Sequence, residues 1–173
     1  MEINQSEGAA IRKLLDIEEI KKLHARYTFA VDENRWDDVA DLFTEDAIGD
    51  WGYGSPGSRG RYEGRKAIAK FFKELASAEA SMFRHMVMQP DIEVEGDRAH
   101  AKWYMFGFGT YNLPEGETAA WTHGKYMNDL VKKDGEWKFS HLRFQFTFQT
   151  PYHEGWLKRP SIMPTAFRDA EKE

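Results

Sequence analysis

From Met82 to Thr150 the sequence is almost unbroken strand, and those strands are apolar on both faces. The runs Met82–Gln89, Ile92–Val94, Arg98–Gly109, Ala119–Lys132 and Trp137–Thr150 alternate with turn signals at Gly96-Asp97 and Asp134-Gly135. In the last run, alternation puts Trp137, Phe139, His141, Arg143 and Gln145 on one face and Leu142, Phe144, Phe146 and Phe148 on the other. In Arg98–Gly109 it sets Trp103, Met105 and Gly107 against Tyr104, Phe106 and Phe108. A sheet with one wet face would alternate apolar with polar. Here one face must cover the rest of the chain, and the other needs a second cover. The simplest is another subunit, because large apolar patches are rare on monomers. The expectation is a homo-oligomer, dimer or trimer, joined through Tyr104, Phe106, Phe108, Phe144, Phe146 and Phe148.

What the inner face covers lies upstream. Ile11, Leu14, Leu15, Ile17, Ile20, Leu23 and Tyr27 recur at three- and four-residue steps, the stripe of an amphipathic helix that runs to Asp32. A short helix spans Trp36 to Phe43, a short strand Ala47 to Trp51, and a third helix Gly64 to about Ala78 carries Ile68, Phe71, Phe72 and Leu75. Between them, residues 52–61 form a Gly/Ser/Pro/Arg-rich loop, a rim. Helices followed by long antiparallel strands define an α+β fold, three N-terminal helices packed in a curved, mostly antiparallel sheet. Residues 1–9 read as a flexible leader, 10–150 as the single domain, and 151–173 as a tail over the domain or a neighbouring subunit.

Composition removes several classes of function. Zero cysteines among 173 residues exclude thiol catalysis and cysteine-held metals. A net charge of −5 argues against a nucleic-acid partner, which needs clustered Lys and Arg. No run approaches the ~20 apolar residues of a membrane span, so no membrane partner and cytoplasmic residence are expected. No paired-histidine spacing, phosphate-binding loop or dinucleotide fingerprint occurs, so neither metal nor cofactor is expected. Six Trp, seven Tyr and twelve Phe supply more aromatic surface than a core of this size needs, which points to a small hydrophobic or aromatic substrate.

Two residues carry the acid–base chemistry. His85 lies on the apolar Met82–Met88 run, where an imidazole alone is more often a hydrogen-bonded core group. Asp32 closes the first helix, an end where the helix dipole disfavours an anion. Together they make a general base without metal: a carboxylate fixes the imidazole tautomer and steadies the imidazolium that proton transfer creates. Tyr27 could orient or protonate a leaving oxygen, or simply sit at a core edge. His24, His100 and His153 read as surface or edge residues, and Arg59 and Arg61 as loop cations more often solvated than functional.

The order helix–helix–strand–helix–long strands, with Tyr27, Asp32, Trp36, Asp37, Phe43 and His85 in these places and Lys133-Asp134-Gly135-Glu136-Trp137-Lys138-Phe139 in the last hairpin, resembles the SnoaL-like branch of the nuclear transport factor superfamily. The resemblance covers roughly residues 12–150. It implies a cone-shaped barrel enclosing one deep pocket, in a fold that hosts dehydratases, isomerases, dehydrohalogenases, cyclases and non-enzymatic binders. Position by position, Asp32 and His85 look like the dyad of the dehydrochlorinases and of the scytalone and bile-acid dehydratases, and Tyr27 like a pocket tyrosine. Gly107 stands where a bile-acid dehydratase has aspartate and Phe146 where it has arginine, which argues against a bile acid. His141 falls where dehydrochlorinases carry a basic pocket residue.

The resemblance therefore implies catalytic His85, Asp32, Tyr27 and His141, with Trp51, Tyr53, Arg61, Trp103, Met105, Trp121, His123, Lys125 and Arg143 against the substrate. The activity expected is a cofactor-independent lyase that eliminates water from a hydroxylated aromatic or polycyclic compound. A carbon–carbon cleavage could follow, as in the lignin-dimer lyases of this superfamily. The alternatives are a proton-shifting isomerase and a non-catalytic ligand-binding or scaffold protein.

Overall fold

The computed structural model describes residues 4–52, 59–76, 80–113, 116–160 and 162. Its elements are α1 (Gln5–Asp32), α2 (Trp36–Asp41), β1 (Phe43–Trp51), β2 (Gly60–Glu63) and α3 (Arg65–Lys70), which runs into a π-helical stretch, Phe71–Ala76. Then come β3 (Ala80–Glu95), β4 (Arg98–Leu113), β5 (Gly116–Lys133), β6 (Glu136–Pro151) and α4 (Gly155–Lys158). All six strands form one sheet in the order β2-β1-β6-β5-β4-β3. β1 runs parallel to β6 and the other neighbours are antiparallel. The fold is the expected α+β arrangement of N-terminal helices on a mostly antiparallel sheet. The sheet has two edges, β2 and β3, so it is open rather than a closed barrel.

α1 starts earlier than its apolar stripe suggests. The Asn4 side chain accepts from the Glu7 amide (3.0 Å) and the Glu7 carboxylate accepts from the Asn4 amide (2.9 Å), a capping box that satisfies two orphan donors. Helix therefore occupies Gln5 to Ala9, where a flexible leader was expected. The stripe itself is buried only in its second half, at Ile20, Leu23, His24, Tyr27, Thr28 and Ala30. Ile11, Leu14 and Leu15 stay exposed, because core packing reaches α1 only from Ile17 onward. α2 stops at Asp41, and β1 begins at Phe43 rather than Ala47. The rim loop contains a strand the sequence reading missed: β2 pairs antiparallel with β1, Trp51 opposite Gly60 and Ile48 opposite Glu63.

β3 joins what read as two strands. Its ladder with β4 shifts register between Met88 and Asp91, where Gln89 takes a positive φ of 54° and Pro90 has no N–H to donate. β6 has two such irregularities, and they decide which side chains face inward. Phe139 pairs with Leu130 and His141 with Asp129, leaving Ser140 extra; Phe146 pairs with Gly124 and Phe148 with His123, leaving Thr147 extra. Each extra residue flips the alternation. The inner face thus reads Trp137, Phe139, then Leu142, Phe144, Phe146, then Gln149. Against it α1 places Tyr27, whose ring meets Phe43, Phe72, Tyr126 and Phe139 edge-on. His24 is buried in the same web, stacked on Trp103 at 4.1 Å, rather than at the surface as expected.

Candidate active site

α1 ends at Asp32 beside β3, and the two elements are fastened there. One carboxylate oxygen of Asp32 accepts from the His85 amide at 2.9 Å, and the other accepts from His85 Nδ1 at 2.6 Å. The two charge-assisted bonds offset the unfavourable end of the helix dipole. They also fix chemistry. With Nδ1–H committed to the carboxylate, Nε2 is the basic nitrogen of neutral His85. Both side chains are about one-tenth exposed, enough to meet a ligand while remaining largely desolvated. Arg84 next door donates to the main-chain carbonyls of Asp32 (3.0 Å) and Phe83, which steadies the helix end.

Asp32 and His85 line a cavity of about 190 Å³ between the helices and the inner face of the sheet. Phe83 lies edge-on to the imidazole at 4.4 Å. The ring fits because β4 carries glycine beneath it: a Cβ at Gly107 would come within 3.0 Å of Phe83 and 2.6 Å of the Arg84 carbonyl, and one at Gly109 within 2.7 Å of Phe83. Tyr27 contributes a polar atom to the aromatic wall. Its oxygen accepts from the Trp51 indole at 3.3 Å and from the Tyr126 hydroxyl. Burial raises the Tyr27 pKa above the ordinary phenol value despite those two donors, so the hydroxyl keeps its proton. A basic imidazole nitrogen and a protonated phenol therefore share one cavity, the pairing that elimination needs. Among the described residues, no group of three His, Asp or Glu side chains is placed to hold a metal ion.

Of the residues expected at the site, Tyr27, Asp32, Trp51, His85 and Met105 line this cavity. Trp103 faces inward but is consumed in the core stack with His24. Tyr53 lies outside the described residues. His141, Arg143, Trp121, His123 and Lys125 point to the opposite face, because the Ser140 bulge reverses β6 and the even residues of β5, Thr122, Gly124 and Tyr126, are the inward ones. Out there Arg143 donates to His141 Nδ1 (2.9 Å) and to Asp129 (2.6 Å), and burial with the neighbouring guanidinium lowers the His141 pKa to about 4. Arg61 is also outside, bonded to Glu63 at 3.1 Å.

The face expected to join subunits changes in the same way. Phe144 and Phe146 belong to the interior, while Tyr104, His123 and Phe148 stack on the outer surface, with Phe106, Phe108 and Trp121 beside them. The sequence reading missed Phe71, Phe72, Thr122, Gln149 and Arg59 as cavity residues. The two phenylalanines read as helix core, and Arg59 as a solvated loop cation. Polar Thr122 and Gln149 within aromatic-rich strands were the signal available in the sequence.

Residues 12–143 match the SnoaL-like domain. The chain belongs to that family. Three solved structures locate it within the fold. A protein described as a scytalone dehydratase from Novosphingobium aromaticivorans is 22% identical, with 87% of this chain and 95% of that one aligned and a TM-score of 0.70. A hexachlorocyclohexane dehydrochlorinase from Novosphingobium barchaimii is 22% identical over 82% of this chain and 93% of its own, TM-score 0.72. A protein described as an aromatic ring hydroxylase from N. aromaticivorans is 27% identical over 80% and 94%, TM-score 0.68. No curated protein sequence matches the chain. Among the described residues, no helix of this SnoaL-like protein is long and apolar enough to cross a membrane.

Proposed function

We propose that this SnoaL-like protein is a cofactor-independent lyase that eliminates water from a small hydroxylated aromatic compound. The observation that carries the reading is the two-point pairing of Asp32 with His85 in the wall of an aromatic cavity. His85 Nε2 takes a proton from the substrate, at carbon beside an activating group or at a para-phenol, and Asp32 steadies the imidazolium. The carbon–oxygen bond at the β position or the benzylic position breaks, and Tyr27 passes its proton to the departing hydroxyl, which leaves as water. The His85 proton then returns to the tyrosinate through solvent. The substrate's own π-system holds the developing charge, so proton transfers suffice.

The cavity has room for at least one aromatic ring. Its volume of about 190 Å³ is close to the ~150 Å³ that accommodates benzene in an apolar protein cavity. The dehydratase and dehydrochlorinase descriptions of the structural neighbours support a lyase. A proton-shifting isomerase is the second reading, favoured by Tyr27 as a protonated phenol able to polarise a carbonyl. Mass analysis of products from a panel of aryl carbinols and conjugated aryl ketones decides between them. A product one water lighter than its substrate supports the lyase, an isomer of equal mass the isomerase, and tight binding without product a non-catalytic role.

A further inference from the structure

We infer that α1 pairs with the α1 of a second copy, antiparallel, through an apolar stripe on the side of the helix turned away from the core. The stripe is Ile11, Leu14, Leu15, Ala25 and Phe29, with Glu18 and Lys22 between them. Steps of three and four residues keep them on one side of the helix, opposite Ile20, Leu23, Tyr27 and Ala30, which the core takes. Leu14, Leu15 and Phe29 are 62%, 59% and 62% exposed, and Ile11 43%. Apolar side chains scattered singly are ordinary on a surface; a line of them along one helix is a face.

The helix is also longer than its own core requires. Among the described residues, the body first grips α1 at Asp16, whose carboxylate accepts from Lys132 at 2.7 Å and from the Trp137 indole at 2.9 Å. About 16 Å of helix, from Gln5 to Leu15, lies ahead of that grip at 1.5 Å per residue. The Asn4–Glu7 capping box holds this end helical. Further along, α1 and the β5–β6 turn form a groove lined by Ala25, Arg26, Phe29, Gly135 and Trp137. An antiparallel partner lays its protruding end along this groove and receives the same end in return, so each copy covers what the other exposes.

Charge selects the direction and the register. With a two-fold axis at the level of Ile20, Ile11 meets the partner's Phe29, Leu15 meets the partner's Ala25, and Glu18 meets the partner's Lys22. The alternating four- and three-residue steps from Ile11 through Leu15, Glu18, Lys22 and Ala25 to Phe29 are the seam of a left-handed helix pair. A parallel pair would instead set Glu18 against the partner's Glu18 and Lys22 against the partner's Lys22, and like charges repel. Glu18 holds Lys21 of its own helix at 2.6 Å through one carboxylate oxygen, and a carboxylate accepts several donors. The contact is smaller than the ~20–30 residues a side of a standard interface, so it forms in concentrated solution and dissociates on dilution. It lies on the helix side of the sheet, whereas Tyr104, His123 and Phe148 stack on the outer side, so the two contacts are separate.

The chain has no cysteine, so a single introduced thiol reports the register. Full-length Leu15→Cys and Ala25→Cys, mixed at high micromolar concentration under mild oxidation, should form a disulfide-linked mixed dimer, while each variant alone forms little. Glu18→Lys in both chains sets cation against cation across the axis and should abolish the link; adding Lys22→Glu should restore it. These positions are exposed, and circular dichroism checks that each variant stays folded. Leu15→Cys linking to itself as readily as to Ala25→Cys overturns the antiparallel pair. No link in the mixture, as when the groove is filled by residues 163–173 of the same chain or by another protein, overturns the pairing altogether. So does a link that Glu18→Lys leaves unchanged, or one that Lys22→Glu fails to restore.

Discussion

Replacing His24 with Phe should flatten the acid sensitivity of this protein's stability. His24 is 2% exposed and stacked on Trp103 at 4.1 Å; among the described residues its Nε2 has no hydrogen-bond partner, and its Nδ1 lies 3.4 Å from the Asn128 amide nitrogen. Burial, and then the charge of nearby His85, lowers its pKa from 6.5 to about 3. The folded state therefore holds a neutral imidazole where the unfolded chain takes up a proton below about pH 6.5. Stability is fully present above the unfolded value and is lost as pH falls from there toward about 3. At about pH 5 the loss is roughly 2 kcal/mol, from the logarithm of the unfolded-state protonation. In a domain of this size that lowers the melting temperature by roughly 4–8 °C. His141 and His123 also have lowered values and act in the same direction, but both remain in the variant and cancel in the comparison. Phe retains the stack on Trp103 and removes the unpartnered Nε2, at the expense of the Asn128 contact. Melting curves followed by circular dichroism at about pH 7.5 and about pH 5 should show the wild type losing roughly 4–8 °C more than His24→Phe. Equal losses in the two proteins would mean that His24 takes up its proton in the folded state, and the reasoning fails.

Tyr27→Phe removes the proton donor but leaves the ring in its aromatic web. Turnover in steady-state assays should fall about 10²- to 10⁴-fold while circular dichroism shows the fold retained, with a melting temperature a few degrees lower because the buried Trp51 indole and Tyr126 hydroxyl lose their acceptor. We expect an oligomer joined through the outer aromatic face. Sedimentation should find a dimer or trimer for the wild type and a monomer for the double variant Tyr104→Glu, Phe108→Glu, whose sites are 48% and 39% exposed in the single chain. Exhaustive dialysis against a chelator should leave activity intact; activity lost on chelation and restored by added metal would recast His85 as a ligand.

The element order and the dyad were legible because each has a local signature. Ile20, Leu23 and Tyr27 keep helical spacing, Gly96-Asp97 and Asp134-Gly135 mark turns between strands, and Asp32 and His85 are the residue types that pair as an acid–base unit. What the sequence hid was which way the strands face. Where both faces are apolar, alternation alone cannot assign inside and outside, and a single extra residue reverses it. Ser140 does this in β6, sending His141 and Arg143 outward, and Thr147 does it again, separating Phe146 inside from Phe148 outside. Gly60 and Arg61 looked like loop because β2 is only four residues long, and Arg59 looked solvated for the same reason. His24 was misplaced because a buried imidazole has no pattern of its own. It is tolerated among Trp103, Tyr126 and Phe139 by ring contacts and by one long hydrogen bond between Nδ1 and the Asn128 amide.

The central claim is that Asp32 makes His85 a base by holding its proton on Nδ1, and Asp32→Asn tests it most directly. The carboxylate accepts two donors, the His85 amide and Nδ1–H. An asparagine in its place has one accepting oxygen. If that oxygen keeps the amide bond, its NH₂ faces Nδ1 and forces the proton onto Nε2, where it blocks proton abstraction. The kcat/KM of Asp32→Asn on a substrate turned over by the wild type should fall about 10²- to 10⁴-fold, as in His85→Ala, while the fold and the binding of an unreactive analogue are retained. Full activity in Asp32→Asn with His85 still required would contradict the account.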